Sequence, residues 1–208
     1  MISILYLYDR AIVDDLQKSF NPDNMSDPEV KVVDQEGLIQ VLAQMKEDKI
    51  AFPVVSLVRN SSVNIDSNRC NFTWMHIGTQ CVFDKVHNNY YNERAIPVQL
   101  GYDLDILTTN TADMDEMIRE LMFKYTSMYF LSIQIPYESD RSIRFGVYID
   151  PDSTIERMSK TAEYLNRGQL YRSTLKLKCD GCVLLHYTPV KLRRQEYEIT
   201  LLNPDDCV

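Results

Sequence analysis

Glycine is scarce in this chain, with only six among 208 residues, whereas the usual share is about 7%. Neither G-x-G-x-x-G nor G-x-x-x-x-G-K-S/T occurs anywhere in it. These two patterns form the commonest glycine-rich loops that hold phosphates, so the sequence lacks both nucleotide-binding signatures. The thin spread of glycine also disfavours an enzyme whose cleft needs flexible loops.

Long apolar runs and an excess of positive charge are also lacking. No stretch approaches the roughly 18–20 apolar residues of a membrane span, and the N-terminus has neither a basic region nor a cleavage site for secretion. The 22 Lys and Arg against 30 Asp and Glu give a net charge of -8, which disfavours nonspecific binding to nucleic acid or to membrane surfaces. We therefore expect a protein of the reducing cytoplasm, without a membrane partner.

The hydrophobic pattern predicts an α+β fold. Apolar residues at helical spacing predict a helix over residues 5–20 and another that begins near Asn110 and carries Met114 to Tyr125. Strict alternation over 96–106 predicts a long, half-buried strand. Further strands are predicted at 30–33, 52–58, 74–83, 129–135, 143–149, 171–177, 183–187 and 197–201, and further helices at 38–45 and 151–168. We expect one domain, residues 1–208, with a mixed, mostly antiparallel sheet and helices packed mainly on one face.

Two segments are predicted as insertions, and a third is predicted as a tight turn between strands. Residues 59–73 are rich in Asn and Ser, and residues 88–94 begin with an Asn- and Tyr-rich tip, so both are predicted as loop or arm insertions. Tyrosine offers a large contact area at low entropic cost, so the tip is either a binding loop or an ordinary polar turn. The Asp180-Gly181 pair is typical of a type I′ turn and predicts a C-terminal β-hairpin.

The five cysteines do not describe a disulfide scaffold, because their number is odd and no secretion signal accompanies them. Cys179 and Cys182 have the C-x-x-C spacing of zinc and redox sites. Further side chains that could complete a metal site are Cys70, Cys81, His76 and His186. Because the predicted turn occupies the two central residues, a cross-strand pair beside that turn is the stronger interpretation. We expect no metal and no cofactor.

Two sets of charged residues are further candidates for a functional site. Asp103 and Asp105 alternate on one strand face, which would suit acid–base or metal chemistry, solvent exposure, or contact with cations of a neighbouring subunit. The basic cluster Lys191, Arg193 and Arg194 is either a solvated loop or a contact to a subunit or to DNA. We expect no catalytic residue. The candidate interface residues are Asn88, Asn89, Tyr90, Tyr91, Asp103, Asp105, Arg193 and Arg194.

The order of several motifs carries a family resemblance. Residues 95–106 have the pattern Pro-apolar-x-Leu-x-Tyr-x-apolar-Asp-apolar, and a helix with an acidic start and an Arg119-Glu120 pair follows. A strand that ends at Pro136 and a later strand that opens with Tyr171-Arg172 continue the order. Over roughly residues 75–190, the chain resembles neck and tail-completion proteins of tailed bacteriophages.

The resemblance implies a virion structural protein rather than an enzyme. Such a tail terminator forms a ring, often a hexamer, at the head-proximal end of the tail. It caps the tail tube, contacts tube and sheath proteins and docks to the head connector, while DNA only passes through the lumen. It would be made in the cytoplasm of the bacterial host. The alternatives are a baseplate or portal-adaptor protein, or a small cytosolic enzyme that uses Asp103 and Asp105 or Cys179 and Cys182.

Overall fold

The computed structural model describes residues 4–20, 31–33, 52–70, 76–135, 138–153, 156–160 and 170–185. The helices are α1 (Ile4–Phe20) and α2 (Thr111–Tyr125), with a short 3₁₀ helix at Ser67–Arg69. The strands are β1 (Lys31–Val33), β2 (Val54–Ile65), β3 (Gly78–Asp84), β4 (Asn89–Thr108), β5 (Tyr129–Ile135), β6 (Glu138–Ile149), β7 (Glu156–Lys160) and β8 (Leu170–Leu184). The predicted helix at 38–45, the predicted strand at 197–201, and Arg193 and Arg194 lie outside the described residues.

Both helices form where the apolar spacing predicts them. α1 buries every fourth residue, namely Tyr8, Ile12, Leu16 and Phe20. α2 begins after Asn110, whose side-chain oxygen accepts a hydrogen bond from the Ala112 amide at 3.0 Å. This is the usual way in which an N-cap satisfies an amide that has no partner within the helix. Met122 belongs to the same apolar stretch from Met114 to Tyr125 but is 44% exposed.

The sheet is mixed and mostly antiparallel. β4 is its centre and pairs with β8 from Ala95 to Thr108, with β2 along its other edge, and with β3 at its N-terminal end. Of the described pairings, the one between β1 and β2 is parallel and the others are antiparallel. The predicted α+β class is confirmed.

Four strands form a closed circuit of pairings. β3 and β8 both pair with β4, and β6 pairs with β8 through residues 146–149 and with β3 through residues 141–143. At this closure both faces of β8 are covered, and Cys179, Gly181, Cys182 and Leu184 are all buried. One continuous hydrophobic cluster joins the two helices to the inward residues of β4, β6 and β8.

Two predicted insertions are largely strand. Residues 59–65 belong to β2 and pair with β4, with a register shift between Arg59 and Val63. Residues 89–94 belong to β4 and pair with β3 across a turn at residues 85–88. The loop prediction was wrong at these positions because backbone pairing, of residues 59–65 with β4 and of residues 89–94 with β3, outweighs the low strand preference of Asn.

Two other local predictions were also wrong. β8 runs unbroken through Asp180 and Gly181, where Asp180 pairs with both Gln99 and Gly146, so the C-terminal hairpin does not form there. The glycine is needed for space rather than for a turn, since a Cβ at Gly181 would lie 3.1 Å from Cζ of Tyr8. Within the predicted helix at 151–168, residues 156–160 form β7 and pair with β8.

Candidate interaction surface

An exposed aromatic surface covers the outward side of β5, β6, β3 and the start of β4. Ile133, Ile143 and Val82 point into the core from three of these strands, so the residues that alternate with them face outward. We call this surface the aromatic face and define it by Phe83, Tyr90, Phe130 and Arg144, with Cys81 between them.

The side chains of the aromatic face are packed in pairs. The rings of Phe83 and Tyr90 lie 4.9 Å apart between centroids, and the guanidinium of Arg144 lies 4.3 Å from the centroid of Phe130. They border a shallow cavity of about 530 Å³. Tyr90 is 65% exposed and Phe130 is 49% exposed, so the pairs stay accessible to a partner while their neighbours hold them in place.

Backbone and side-chain hydrogen bonds fix the strands beneath this face. β3 and β6 pair through Val82 to Asp84. Beyond that pairing, the side-chain Nε2 of Gln80 donates to the backbone carbonyl oxygen of Arg144 at 3.1 Å, and Arg69 donates to the Gln80 side-chain oxygen at 3.2 Å. These hydrogen bonds connect the two strands beyond the last paired residues of β3 and β6. They help to fix the four strands that carry the aromatic face.

The turn between β3 and β4 is organised by Asp84. Its buried carboxylate accepts hydrogen bonds from the Val86 amide and from the His87 ring nitrogen Nδ1, each at 2.9 Å. The hydrogen bond from His87 is the main cause that lowers the pKa of Asp84. Asn88 takes a positive φ of 48°, a conformation that Asn tolerates better than most residues. The turn therefore presents Val86, 67% exposed, in a defined position.

Strand alternation separates the predicted tip residues. Tyr90 lies on the aromatic face, whereas Tyr91 lies on the other side of the hairpin, 6.0 Å from the guanidinium of Arg141. Asn88 lies in the turn, and the Asn89 side chain accepts a hydrogen bond from the Tyr90 amide at 2.8 Å. Of the four residues, the structure brings Tyr90 together with other outward-facing aromatic groups, the half-buried Phe83 and the exposed Phe130.

Asp103 and Asp105 lie elsewhere, where β4 is flanked by β2 and β8. Both oxygens of Asp105 are engaged within the chain, by the Thr174 hydroxyl at 2.5 Å and the Arg172 guanidinium at 2.6 Å. One oxygen of Asp103 is buried and has no hydrogen-bond partner among the described residues. Asp105 is therefore held by partners within its own chain, Thr174 and Arg172.

The C-x-x-C cysteines are buried thiols in the middle of a strand. Burial raises the pKa of both, and that of Cys182 rises to about 11. A raised pKa leaves little thiolate at neutral pH, so neither cysteine is prepared as a nucleophile or as a metal ligand. Over the residues that the structure describes, no three His, Cys, Asp or Glu side chains are grouped as a metal site.

A larger cavity of about 750 Å³ lies between α1 and β2. At its floor Arg59 contacts the Asp9 carboxylate at 2.9 Å, and the hydroxyl of Tyr102 donates to Asp9 at 2.9 Å. Burial is the main cause that raises the pKa of Tyr102, which therefore stays protonated. The Arg59 and Asp9 charges neutralise each other, and the rest of the lining mixes apolar side chains with Asn60 and Ser61, so the cavity has no net charge that would select a ligand.

The outward side of α2 is a second exposed surface. Its N-terminal half is acidic, and Phe123 near its C-terminus is 80% exposed. We call this the α2 outer face and define it by Asp113, Asp115, Glu116, Glu120 and Phe123. The sequence analysis missed Phe83, Phe123, Phe130 and Arg144. The signal that was present for Phe83, Phe123 and Phe130 is an aromatic residue on the polar side of a predicted helix or strand.

In the described part of the chain, neither helix combines the length and the apolar character needed to cross a membrane. No protein-family model matches the chain, and a search of curated protein sequences finds no match either.

Proposed function

We propose that this chain is a virion structural protein, a tail terminator or tail-completion subunit that forms a ring at the head-proximal end of a phage tail. The order of motifs over roughly residues 75–190 suggests the family. The observation in the structure that supports an assembly role best is the aromatic face. Such a subunit would contact copies of itself, the tail tube and sheath, and the head connector.

The composition of the aromatic face suits protein–protein binding. Tryptophan, tyrosine and arginine contribute most of the binding free energy of protein interfaces when they lie at the centre of a packed patch. Contiguous exposed apolar surface on a globular protein commonly marks an interaction site. Phe83, Tyr90, Phe130 and Arg144 provide both features on a layer that hydrogen bonds already hold rigid.

The enzyme alternative has less support from the geometry. Asp105 is fully engaged by Thr174 and Arg172, and the Cys179 and Cys182 thiols are buried with raised pKa values.

A net charge of -8 also suits a ring through which DNA slides without sticking, because like charges repel. We therefore retain the structural role as the proposal.

Light scattering of the purified full-length protein tests the proposal. The molar mass is measured over a wide range of concentrations, with and without the tail-tube protein of the same phage. A closed species of defined stoichiometry, or a monomer that becomes a ring only on the tube, is the expected result. A monomer at every concentration that ignores the tube protein would overturn the proposal.

A further inference from the structure

The aromatic face and the α2 outer face lie on opposite sides of the layer formed by β5 and β6. Phe130 and Arg144 point outward because they alternate with Ile133 and Phe145, which are buried. The buried residues of α2 join the same core cluster as Phe145, so α2 packs on the inward side. One copy cannot bring its own two surfaces together, whereas two copies can.

The two surfaces carry opposite charge. The exposed basic residues of the aromatic face and its turn are Arg94, Arg144 and Lys85, and among the side chains that the structure describes one exposed acid, Asp140, lies at the rim. The α2 outer face has four carboxylates, and Arg119 is the one exposed cation of that helix. Complementary charge steers two surfaces together and disfavours wrong partners. Within a second copy of this chain, the acidic helix is therefore the fitting partner of the aromatic face.

Apolar side chains accompany the charges on both surfaces. Phe123 projects from the end of α2 with 80% of its surface exposed. The aromatic face offers a cavity of about 530 Å³ between Phe83, Tyr90 and Phe130. Aromatic rings pack well edge to face or offset against one another. The cavity and the projecting ring are thus both aromatic, and the charges that surround them are opposite in sign.

We propose that the α2 outer face of one copy docks on the aromatic face of the next, with Phe123 in the cavity and the helix carboxylates facing Arg94 and Arg144. The inference rests on the proposed function and deepens it, because it names the two surfaces through which the ring closes. Since two different surfaces meet, the contact is heterologous and repeats from copy to copy until the rotation closes a ring.

Charge reversal in the full-length protein tests this docking by light scattering. Arg144→Glu places like charges opposite each other and should weaken self-association at least about tenfold. Glu120→Arg should weaken it for the same reason, and the double variant should regain most of the loss. Arg10→Glu makes the same change of net charge at an exposed position of α1 and should leave association unchanged.

The exposed thiol of Cys81 gives a readout that is specific to the contact. In a Cys70→Ser, Cys207→Ser background, Glu120→Cys introduces a thiol on the α2 outer face. Mild oxidation should then link copies into a ladder that extends to the ring size, and adding Cys81→Ser should abolish it. A symmetric contact between two α2 helices would instead stop at dimers and persist without Cys81, which would overturn the inference.

The outcomes separate this inference from the proposed function. A closed assembly that survives Arg144→Glu and gives no link through Cys81 overturns the docking and leaves the ring proposal standing. A monomer under all conditions, including the presence of tail-tube protein, overturns both. Loss of assembly in Arg144→Glu, recovery in the double variant and linkage through Cys81 together support the docking.

Discussion

The Tyr8 hydroxyl takes the hydrogen-bonding place of a neighbouring strand at Cys182, on the edge of β8 that β6 no longer covers. It donates to the Cys182 carbonyl oxygen and accepts from the Cys182 amide, each at 2.9 Å. The two residues are 174 positions apart in sequence. Burial is the main cause that raises the pKa of Tyr8, so the hydroxyl keeps the proton that it donates. The first helix and the last described strand are thereby joined at the point where β6 leaves β8 for β3.

Tyr8→Phe should lower the free energy of unfolding by about 2–3 kcal/mol, because the buried backbone groups of Cys182 lose their partner. Urea unfolding followed by circular dichroism measures the change. Tyr6→Phe is the matched control, since Tyr6 lies two residues away on the exposed side of α1. Equal stability of the two variants would show that the buried hydrogen bonds contribute nothing net.

Gly181→Ala should destabilise the protein by about 1–2 kcal/mol, the usual cost of forcing an extra methyl group into a packed site. The new Cβ would lie 3.1 Å from Cζ of the Tyr8 ring, which the hydrogen bonds to Cys182 hold in place. Gly101→Ala is the control, because its Cβ would meet the movable end of the Asn60 side chain. Melting temperatures should therefore fall for Gly181→Ala and change little for Gly101→Ala.

The Asp84 carboxylate should make stability depend on pH in acid. Its pKa is lowered in the folded protein, so the stabilisation is present above the unfolded value of about 3.9 and is lost as pH falls through the folded pKa. Asp84→Asn should therefore be less stable than the parent at pH 6, and the difference should shrink towards pH 3. Thermal unfolding across this range measures it, with Asp14→Asn on the exposed side of α1 as the control. A constant difference would contradict the assignment.

The cysteines should differ sharply in reactivity. Cys81 is exposed, whereas Cys179 and Cys182 are buried, and their raised pKa values leave little thiolate at pH 8. Alkylation followed by peptide mass spectrometry should label Cys81 first in the native protein. Cys179 and Cys182 should be labelled only after denaturation. Rapid native labelling of either would contradict their placement in the core.

The aromatic face should control assembly without controlling folding. Tyr90→Ser and Phe130→Ser should each weaken self-association by at least about tenfold, the loss expected of an interface anchor. Tyr91→Ser is the matched control, since Tyr91 lies on the other side of the same hairpin. Sedimentation at several concentrations measures association, and circular dichroism confirms that the variants remain folded. An equal effect of Tyr91→Ser would point to a different surface.

Local periodicity was sufficient to predict most elements. The spacing of Tyr8, Ile12, Leu16 and Phe20 predicts α1, and the alternation along 96–106 predicts the core of β4, because each pattern puts its apolar residues on one side. The same alternation placed Asp103 and Asp105 on the polar face of β4. Such predictions succeed where one element alone can segregate its side chains.

The aromatic face combines residues from several strands. Tyr90 comes next to Phe83 through the β3–β4 ladder, and Phe130 reaches the same face through β6, so no single segment of sequence contains the pattern. Sequence analysis could suggest that Tyr90 is exposed. It had no means of choosing Arg144 as the cation that stacks on Phe130.

By itself the sequence determined α1, α2, the long central strand and the net charge of -8, since these follow from the order of apolar and charged residues. The tertiary structure decided that Asp180 and Gly181 continue a strand, because β4 and β6 flank Asp180 and the Tyr8 ring needs the space at Gly181. It also decided which exposed aromatic residues share a face. Both outcomes depend on contacts between distant segments, whose energies no local pattern contains.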